Sequence, residues 1–136
     1  GGPLFKNIEG DLDGEVAKID FLSTRKFNIC FESYSHPGYV TEKILHAFLA
    51  GTVPIYWGSN SIEADFNPKS FINVHNFNNF DEAIDYVKKV DDNDEFYEWT
   101  VNQPKFTEGV LPEYLMYNNF LNWFEAIVYN KVNKKK

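Results

Sequence analysis

The sequence predicts an α/β fold in which a parallel β-sheet is flanked by helices. Two apolar runs of strand length, Phe27–Phe31 and Val53–Trp57, are separated by a segment with helical periodicity, and a third apolar run follows at residues 71–74. Continuous apolar runs are typical of strands that are buried on both faces. Strands that alternate with helices at short spacing indicate a parallel sheet covered by helices.

The segments before the second strand can be assigned in order. Residues 1–17 are rich in glycine and indicate a connecting segment, and residues 18–23 predict a short helical turn. Thr41 is a credible N-cap for the next helix, and Gly51 is expected to end that helix in the left-handed conformation. His46 lies away from the apolar stripe of the helix, so we expect it to face solvent. The stripe consists of Ile44, Leu45, Phe48 and Leu49.

Four further segments follow the second strand. Residues 60–65 predict a short turn or helix, residues 81–90 an amphipathic helix and residues 94–102 another helix. A last helix is predicted at residues 112–130, because it begins with proline, which suits the first turn of a helix. These segments complete the alternating pattern that a sheet flanked by helices requires.

Length and composition are those of one ordinary domain. The 136 residues are 43% hydrophobic and 18% aromatic, which is sufficient for a packed core and argues against disorder. We predict a connecting segment at residues 1–17, a ligand-binding domain at residues 18–130 and a basic tail at residues 131–136. Because the chain begins at Gly1 without methionine, we expect it to be part of a longer protein.

Charge and cysteine content exclude several kinds of site. A net charge of −7 argues against nucleic acid as a partner, because binding to a phosphate backbone needs a broad basic face. The single Cys30 excludes an internal disulfide and a cysteine-based zinc site, and its apolar neighbours indicate a buried thiol. The basic tail at residues 131–136 leaves two interpretations open, a solvated chain end and a patch that contacts a membrane surface.

Tyr39, Glu42 and Lys43 are the residues best suited to bind a ligand. They lie where the loop after the first strand enters a helix, and in parallel sheets ligands bind beyond the carboxyl ends of the strands. Helix N-termini favour phosphate, and a bound anion would explain Lys43, which the helix dipole alone disfavours there. Glu42 has the oxygen pair that holds vicinal hydroxyls. The alternative is a plain cap followed by a solvated first turn.

The segment around these residues is similar to a known motif. Residues 31–58, FESYSHPGYVTEKILHAFLAGTVPIYWG, resemble the donor-binding motif of the α1,3/4-fucosyltransferases, and the similarity continues through DFNPKSFINV at residues 65–74 and FDEAIDY at residues 80–86. It covers about residues 18–90 and is greatest to the bacterial branch. The resemblance implies a two-domain GT-B enzyme, of which this chain is the C-terminal, Rossmann-like half.

The resemblance also implies roles for individual residues. Glu42 would bind the ribose hydroxyls of GDP-fucose, Lys43 the pyrophosphate, and Tyr39 the ribose or the phosphate edge. Ser33 stands where the family has asparagine, so the donor contact at this position would be shortened or replaced. Glu32 matches the motif either as a buried structural carboxylate or as a further donor contact. The domain at residues 18–130 would then be the GDP-fucose-binding domain.

The implied activity is that of an inverting α1,3-fucosyltransferase that moves fucose from GDP-fucose to a hydroxyl of a GlcNAc- or glucose-type glycan. No catalytic residue is assigned in this chain, because the general base is expected in the N-terminal half, which also binds the acceptor. We therefore expect the chain to be inactive alone. Arg25, the only arginine, stands where the family often has tyrosine and is not expected to assist Lys43 on the pyrophosphate.

The resemblance also suggests a cellular setting and the absence of a metal. We expect protein glycosylation or lipopolysaccharide synthesis in the bacterial cytoplasm, with peripheral contact to the inner membrane, or the Golgi lumen if the protein is eukaryotic. Lys43 and the helix end would stabilise the departing GDP, so no metal or other cofactor is expected. The triplets at residues 11–13 and 92–94, both Asp-x-Asp, lie in acidic stretches that lack the apolar strand such a metal site needs.

Two other functions remain open. One is a non-catalytic nucleotide-binding or scaffold domain of the same fold, and the other is a glycosyltransferase that uses a different nucleotide-sugar. His36, His46 and His75 are not spaced as metal ligands or as a catalytic triad, so they suggest no further class of enzyme.

Overall fold

Helices and strands alternate along the chain. The structure is a computed structural model and describes residues 15–111. Its helices are α1 (Glu15–Ser23), α2 (Glu42–Leu49), α3 (Phe80–Asp91) and α4 (Asp94–Val101). α1 begins earlier than the helical turn predicted at residues 18–23, whereas the helix predicted at residues 112–130 and the basic tail at residues 131–136 lie outside the described residues.

The predicted parallel sheet is confirmed. It has three strands, β1 (Phe27–Phe31), β2 (Val53–Trp57) and β3 (Ile72–Asn73), in that order across the sheet. β1 and β2 pair along their whole length. β3 is shorter than the apolar run at residues 71–74 because the chain enters a 3₁₀ turn at Val74–Asn76. Since all three strands run in one direction, their carboxyl ends meet at one edge of the sheet.

Helices cover both faces of the sheet. On one face α2 packs against β1 and β2. The buried residues of this layer are Cys30, Ile44, Ala47, Tyr56, Ile62, Phe66 and Phe71. On the other face α3 and α4 pack over a second cluster centred on Val53, Ile72 and Val90. Within residues 15–111 no helix has the length and apolar character needed to cross a membrane.

Cys30 joins the sheet to α2. Its side chain is fully buried, as predicted, and burial raises the pKa of the thiol to about 12. The Sγ atom lies 3.4 Å from the carbonyl oxygen of Lys43, so this weak hydrogen bond connects the middle of β1 to the first turn of α2. The thiol is therefore a packing group that stays protonated at neutral pH.

The end of α2 is the predicted one. Gly51 has a positive φ of 70°, its N–H donates to the carbonyl of Phe48 at 3.0 Å, and the N–H of Thr52 donates to the carbonyl of Ala47 at 3.1 Å. This pair of bonds is a Schellman motif, in which glycine adopts the left-handed conformation at the lowest cost. The motif turns the chain directly into β2.

Two predictions for the faces of α2 are wrong. Leu49 is 71% exposed, although it belongs to the predicted apolar stripe, and His46 is only 6% exposed, although it was expected to face solvent. The buried residues of α2 are Ile44, His46 and Ala47, and α2 also contacts α1. The buried face is therefore rotated from the predicted stripe toward Ala47, whose small side chain lets the helix approach its neighbours closely.

Candidate functional site

The predicted site residues lie at the carboxyl edge of the sheet. The loop at residues 32–41 follows β1, a second loop begins at Gly58 after β2, and α2 starts between them. The N–H of Glu32 donates to the carbonyl of Trp57 at 2.8 Å, so the two strands remain paired up to the start of their loops. Parallel strands therefore bring both loops to the N-terminus of α2.

Glu32, Thr41 and Lys43 form a closed cluster at this edge. The Nζ atom of Lys43 lies 2.7 Å from Oε2 of Glu32. The backbone N–H of Thr41 donates to Oε1 at 2.8 Å, and the Thr41 hydroxyl lies 2.9 and 2.7 Å from Oε1 and Oε2. Lys43 Nζ also lies 3.3 Å from Thr41 Oγ1. Both carboxylate oxygens of Glu32 are thus occupied by groups from the start of α2.

The cluster keeps both of its charges. The Glu32 side chain is 0% exposed and that of Lys43 is 33% exposed. Burial alone raises the pKa of Glu32, but the hydrogen bonds from Lys43 and Thr41 outweigh it and the pKa is lowered. The hydrogen bond to Glu32 raises the pKa of Lys43, against the opposing effect of burial. At neutral pH the pair is therefore a carboxylate and an ammonium ion.

Thr41 occupies the N-cap position of α2, but its side chain does not cap the helix. The predicted N-cap position is therefore confirmed, but the capping hydrogen bond is missing because the Thr41 hydroxyl is bound to Glu32 instead of to the amides of the first turn. No side chain within residues 15–111 is seen to cap this helix. The amides of the first turn of α2 are consequently open to an acceptor from outside the helix.

Glu42 faces a different space from Lys43. Consecutive helical residues point about 100° apart, and Glu42 lines a cavity of about 340 Å³ that opens beside the start of α2. The cavity is lined by Gly38, Val40, Thr41, Glu42, Leu45, Asp65 and Phe66. The carboxylates of Glu42 and Asp65 line this cavity together with apolar side chains. The sequence analysis did not suggest Asp65 as a residue of the site.

Tyr39 and Ser33 lie on the exposed part of the loop after β1. The Tyr39 ring packs edge-on against the ring of Tyr34, with centroids 6.3 Å apart. The loop itself is attached to the loop after β2, because the N–H of Gly38 donates to Ser59 Oγ at 3.0 Å and Ser35 Oγ donates to the carbonyl of Gly58 at 2.8 Å. Tyr39 is thus presented from a loop that is held at two points.

Gly58 is required by the close approach of Glu32. A Cβ atom at Gly58 would lie 2.5 Å from Cγ and 2.9 Å from Cβ of Glu32, and 2.7 Å from the hydroxyl oxygen of Tyr56. The Tyr56 hydroxyl in turn accepts a hydrogen bond from the N–H of Ser59 at 2.9 Å. The buried carboxylate therefore fits only because position 58 has no side chain. No local pattern in the sequence indicated this constraint.

The remaining candidates lie away from the cluster. Arg25 stands before β1, at the opposite edge of the sheet, with its guanidinium 5.5 Å from the centre of the Phe21 ring. Asp94 pairs with Lys26 at 3.3 Å, and the triplet at residues 11–13 lies outside the described residues. Within residues 15–111 no group of three metal-binding side chains comes together.

A comparison with known proteins gives consistent matches. The model of the C-terminal domain of glycosyltransferase family 10 (fucosyltransferase) matches residues 11–106. The chain is 65% identical over 71 residues to the α-(1,3)-fucosyltransferase FucT of Helicobacter pylori, which covers 52% of this chain and 15% of that protein. It is 39% identical over 128 residues to 4-galactosyl-N-acetylglucosaminide 3-α-L-fucosyltransferase 9 of Mus musculus. That alignment covers 78% of this chain and 34% of the mouse protein.

Solved structures agree with these relatives. A crystal structure of α1,3-fucosyltransferase with GDP-fucose aligns with a TM-score of 0.75 and 42% identity over 90% of this chain and 37% of that one. A crystal structure of α1,3-fucosyltransferase with GDP aligns with a TM-score of 0.66 and 48% identity, over 72% and 28%. The chain thus spans between about one seventh and two fifths of the length of these relatives.

Proposed function

The chain belongs to glycosyltransferase family 10, the fucosyltransferases, where it corresponds to the C-terminal domain, and from this membership we propose that it binds GDP-fucose as the donor half of an inverting α1,3-fucosyltransferase. The observation that carries the proposal is the position of the Lys43 ammonium group, which lies beside an uncapped helix N-terminus at the carboxyl edge of the sheet. Relatives of the same fold have been crystallised with GDP and GDP-fucose.

Lys43 and the first turn of α2 bind the pyrophosphate. Lysine has three N–H donors, and within the described residues two of those of Lys43 are directed to Glu32 and Thr41. One third of the side chain remains exposed, which leaves a donor for a phosphate oxygen. The helix dipole and the free amides of the first turn add to this attraction.

Glu42 binds the ribose and the cavity beside it receives the nucleoside. A carboxylate accepts hydrogen bonds from two neighbouring hydroxyls, and Glu42 is exposed to the cavity rather than paired within the cluster. The cavity walls at Val40, Leu45 and Phe66 supply an apolar surface. Tyr39 and Ser33 contribute from the loop above, at the ribose or the phosphate edge.

The site supports transfer by stabilising the leaving group. As the bond between the anomeric carbon and the β-phosphate oxygen breaks, its electron pair goes to GDP, and the charge that develops there lies beside Lys43 and the helix N-terminus. The acceptor hydroxyl oxygen bonds to the anomeric carbon from the opposite face, and its proton goes to a base in the acceptor half. We propose that Lys43 and the helix end make a metal unnecessary for this step.

We also propose an acceptor and a cellular setting, which the names of the relatives support. One relative is named for a galactosyl-N-acetylglucosaminide acceptor, which supports a GlcNAc- or glucose-type hydroxyl as the acceptor of the whole enzyme. Similarity to a bacterial enzyme at 65% identity supports lipopolysaccharide or protein glycosylation in a bacterial cytoplasm. We assign the basic tail at residues 131–136 a peripheral contact with the inner membrane.

A nucleotide titration of the 136-residue chain tests the proposal. We expect GDP and GDP-fucose to bind with similar affinity and UDP to bind more weakly, because the recognised parts of the donor are the guanosine and the pyrophosphate. The measurement is the change in amide NMR shifts near Lys43 together with the tryptophan fluorescence, to which Trp57 at the end of β2 contributes. Binding is expected to be weak, because the chain carries only half of the site.

Two results of this titration would overturn the proposal. Preference for UDP over GDP would indicate a glycosyltransferase with another donor. A folded chain that binds none of the three nucleotides at millimolar concentration would indicate a scaffold domain that has kept the fold without the donor site.

A further inference from the structure

Glu32 has no surface with which to touch a donor molecule. Its side chain is 0% exposed, Oε1 accepts from the Thr41 N–H, and Oε2 lies 2.7 Å from both the Thr41 hydroxyl and Lys43 Nζ. Gly58 packs closely against the Cβ and Cγ atoms of the same side chain. Of the two roles that the motif leaves open for Glu32, direct contact with GDP-fucose is therefore the one that the geometry disfavours.

The contacts of Glu32 instead determine where two groups of α2 lie. Lys43 has a flexible stem and opposes the helix dipole in the first turn, so without a partner its ammonium group would move outward into solvent. Glu32 holds it 2.7 Å away at the end of β1. Glu32 also binds the Thr41 hydroxyl, which would otherwise compete with a phosphate for the amides of the first turn.

We propose that Glu32 is a positioning residue for the donor pyrophosphate, which fixes the Lys43 ammonium group and withdraws the Thr41 hydroxyl from the helix amides without itself contacting the donor. This inference rests on the proposed donor-binding function. The glycine at position 58 is part of the same arrangement, because any side chain there would displace Glu32.

The sign of one charge effect separates positioning from simple electrostatics. Glu32 carries a negative charge close to the proposed phosphate site and repels a phosphate there. If this repulsion were its only effect, removing the charge would strengthen GDP binding. If Glu32 instead holds Lys43 in place, its removal weakens GDP binding even though the site becomes more positive. A role in stability alone predicts no change in the affinity of a folded variant.

The test compares Glu32→Gln with Glu63→Gln in the full chain. Glutamine keeps the shape and an acceptor for Thr41 but loses the charge that holds Lys43. Glu63 is a matched control, because it accepts hydrogen bonds from Asn73 and Asn76 and touches no lysine in the described structure. We expect the Kd for GDP to rise about fivefold to twentyfold in Glu32→Gln, because Lys43 loses the ion pair that holds its ammonium group in place. In Glu63→Gln the Kd for GDP should change less than twofold.

A second measurement needs no GDP. ¹⁵N NMR of the lysine ammonium groups should show Lys43 as a slowly exchanging, ordered signal in the parent chain, in contrast to the exposed Lys69. In Glu32→Gln the Lys43 signal should become mobile and the pKa of Lys43 should fall, although Glu42 and Tyr39 keep part of the rise. If Glu32→Gln does not fold, Glu32→Asp, which shortens the reach by one methylene, takes its place.

The possible outcomes are distinct. A parent chain that fails to bind GDP contradicts the proposed function, while the NMR signal still reports whether Glu32 holds Lys43. A parent chain that binds GDP, with unchanged or tighter binding in Glu32→Gln, overturns the positioning role. A Lys43 signal as mobile as that of Lys69 in the parent overturns it as well.

Discussion

Replacing Lys43 by alanine is expected to lower the affinity for GDP about 100-fold, which corresponds to roughly 2.7 kcal/mol of binding free energy. The substitution removes the ammonium group proposed to contact the phosphates, and it leaves the Glu32 carboxylate, which is 0% exposed, without its cation. An uncompensated carboxylate beside a phosphate repels it, so the loss exceeds that of one hydrogen bond. The measurement is an NMR titration with GDP, with Lys88→Ala as the control.

Lys88 is a suitable control because it loses the same charge in a different place. Its Nζ atom lies 3.0 Å from Asp85, and both side chains are more than half exposed on α3. Exposed pairs of this kind contribute little, so Lys88→Ala should bind GDP as the parent does. Equal GDP affinity in Lys43→Ala and Lys88→Ala would refute the phosphate role of Lys43.

The same substitution should also reduce stability, by about 1–3 kcal/mol, because it removes a hydrogen-bonding partner of a buried carboxylate. Because the pKa of Glu32 is lowered from 4.5, the contribution of its carboxylate to the free energy of unfolding is fully present above about pH 4.5 and is lost as the pH falls through the lowered pKa. Because the pKa of Lys43 is raised from 10.5, the contribution of its ammonium group is fully present below about pH 10.5 and is lost as the pH rises through the raised pKa. Urea unfolding should therefore show the largest difference between the parent and Lys43→Ala between about pH 5 and pH 10.

A double variant separates the two consequences of Lys43→Ala. Adding Glu32→Gln removes the uncompensated charge, so Lys43→Ala with Glu32→Gln should regain part of the lost stability. It should regain only the smaller part of the GDP affinity that repulsion by Glu32 had removed, because the ammonium group is still missing. Full recovery of GDP binding in the double variant would mean that repulsion by Glu32, and not the loss of Lys43, caused the defect.

Replacing Gly58 by alanine is expected to destabilise the protein by about 2–3 kcal/mol, in the range typical of overpacking. The new methyl group would lie 2.5 Å from Glu32 Cγ and 2.7 Å from the Tyr56 hydroxyl oxygen. Neither neighbour can withdraw easily, because Glu32 is bound by Thr41 and Lys43 and Tyr56 is fully buried. Relief of the clash would displace Glu32, so GDP affinity should fall together with the free energy of unfolding.

Gly51→Ala is the matched control for Gly58→Ala. The added methyl group at Gly51 meets no atom within 4 Å, but the residue has a φ of 70°. The expected cost is about 1 kcal/mol for an alanine in the left-handed conformation, with no effect on GDP binding, because Gly51 ends α2 far along the helix from Lys43. A Gly58→Ala protein as stable as the parent would contradict the close packing of Glu32.

Much of the architecture is present in local sequence patterns. The apolar runs at Phe27–Phe31 and Val53–Trp57, the helical segment between them and the glycine that ends it all occur where predicted. The same patterns placed Glu42 and Lys43 in the first turn of α2. Periodicity and helix-ending residues act over a few neighbouring positions, so a single sequence displays them directly.

The working arrangement of the site depends on residues that are far apart in the chain. Glu32 is bound by the start of α2 and fits against Gly58 after β2, and Thr41 consequently binds a carboxylate instead of capping its helix. Packing between distant parts of the chain also decides the burial of His46, the exposure of Leu49 and the place of Asp65 in the cavity. The sequence by itself determined the elements, their order and the lysine at the helix start. Only the tertiary structure decided what holds that lysine, because the groups that hold it meet only when parallel strands bring their loops to one edge of the sheet.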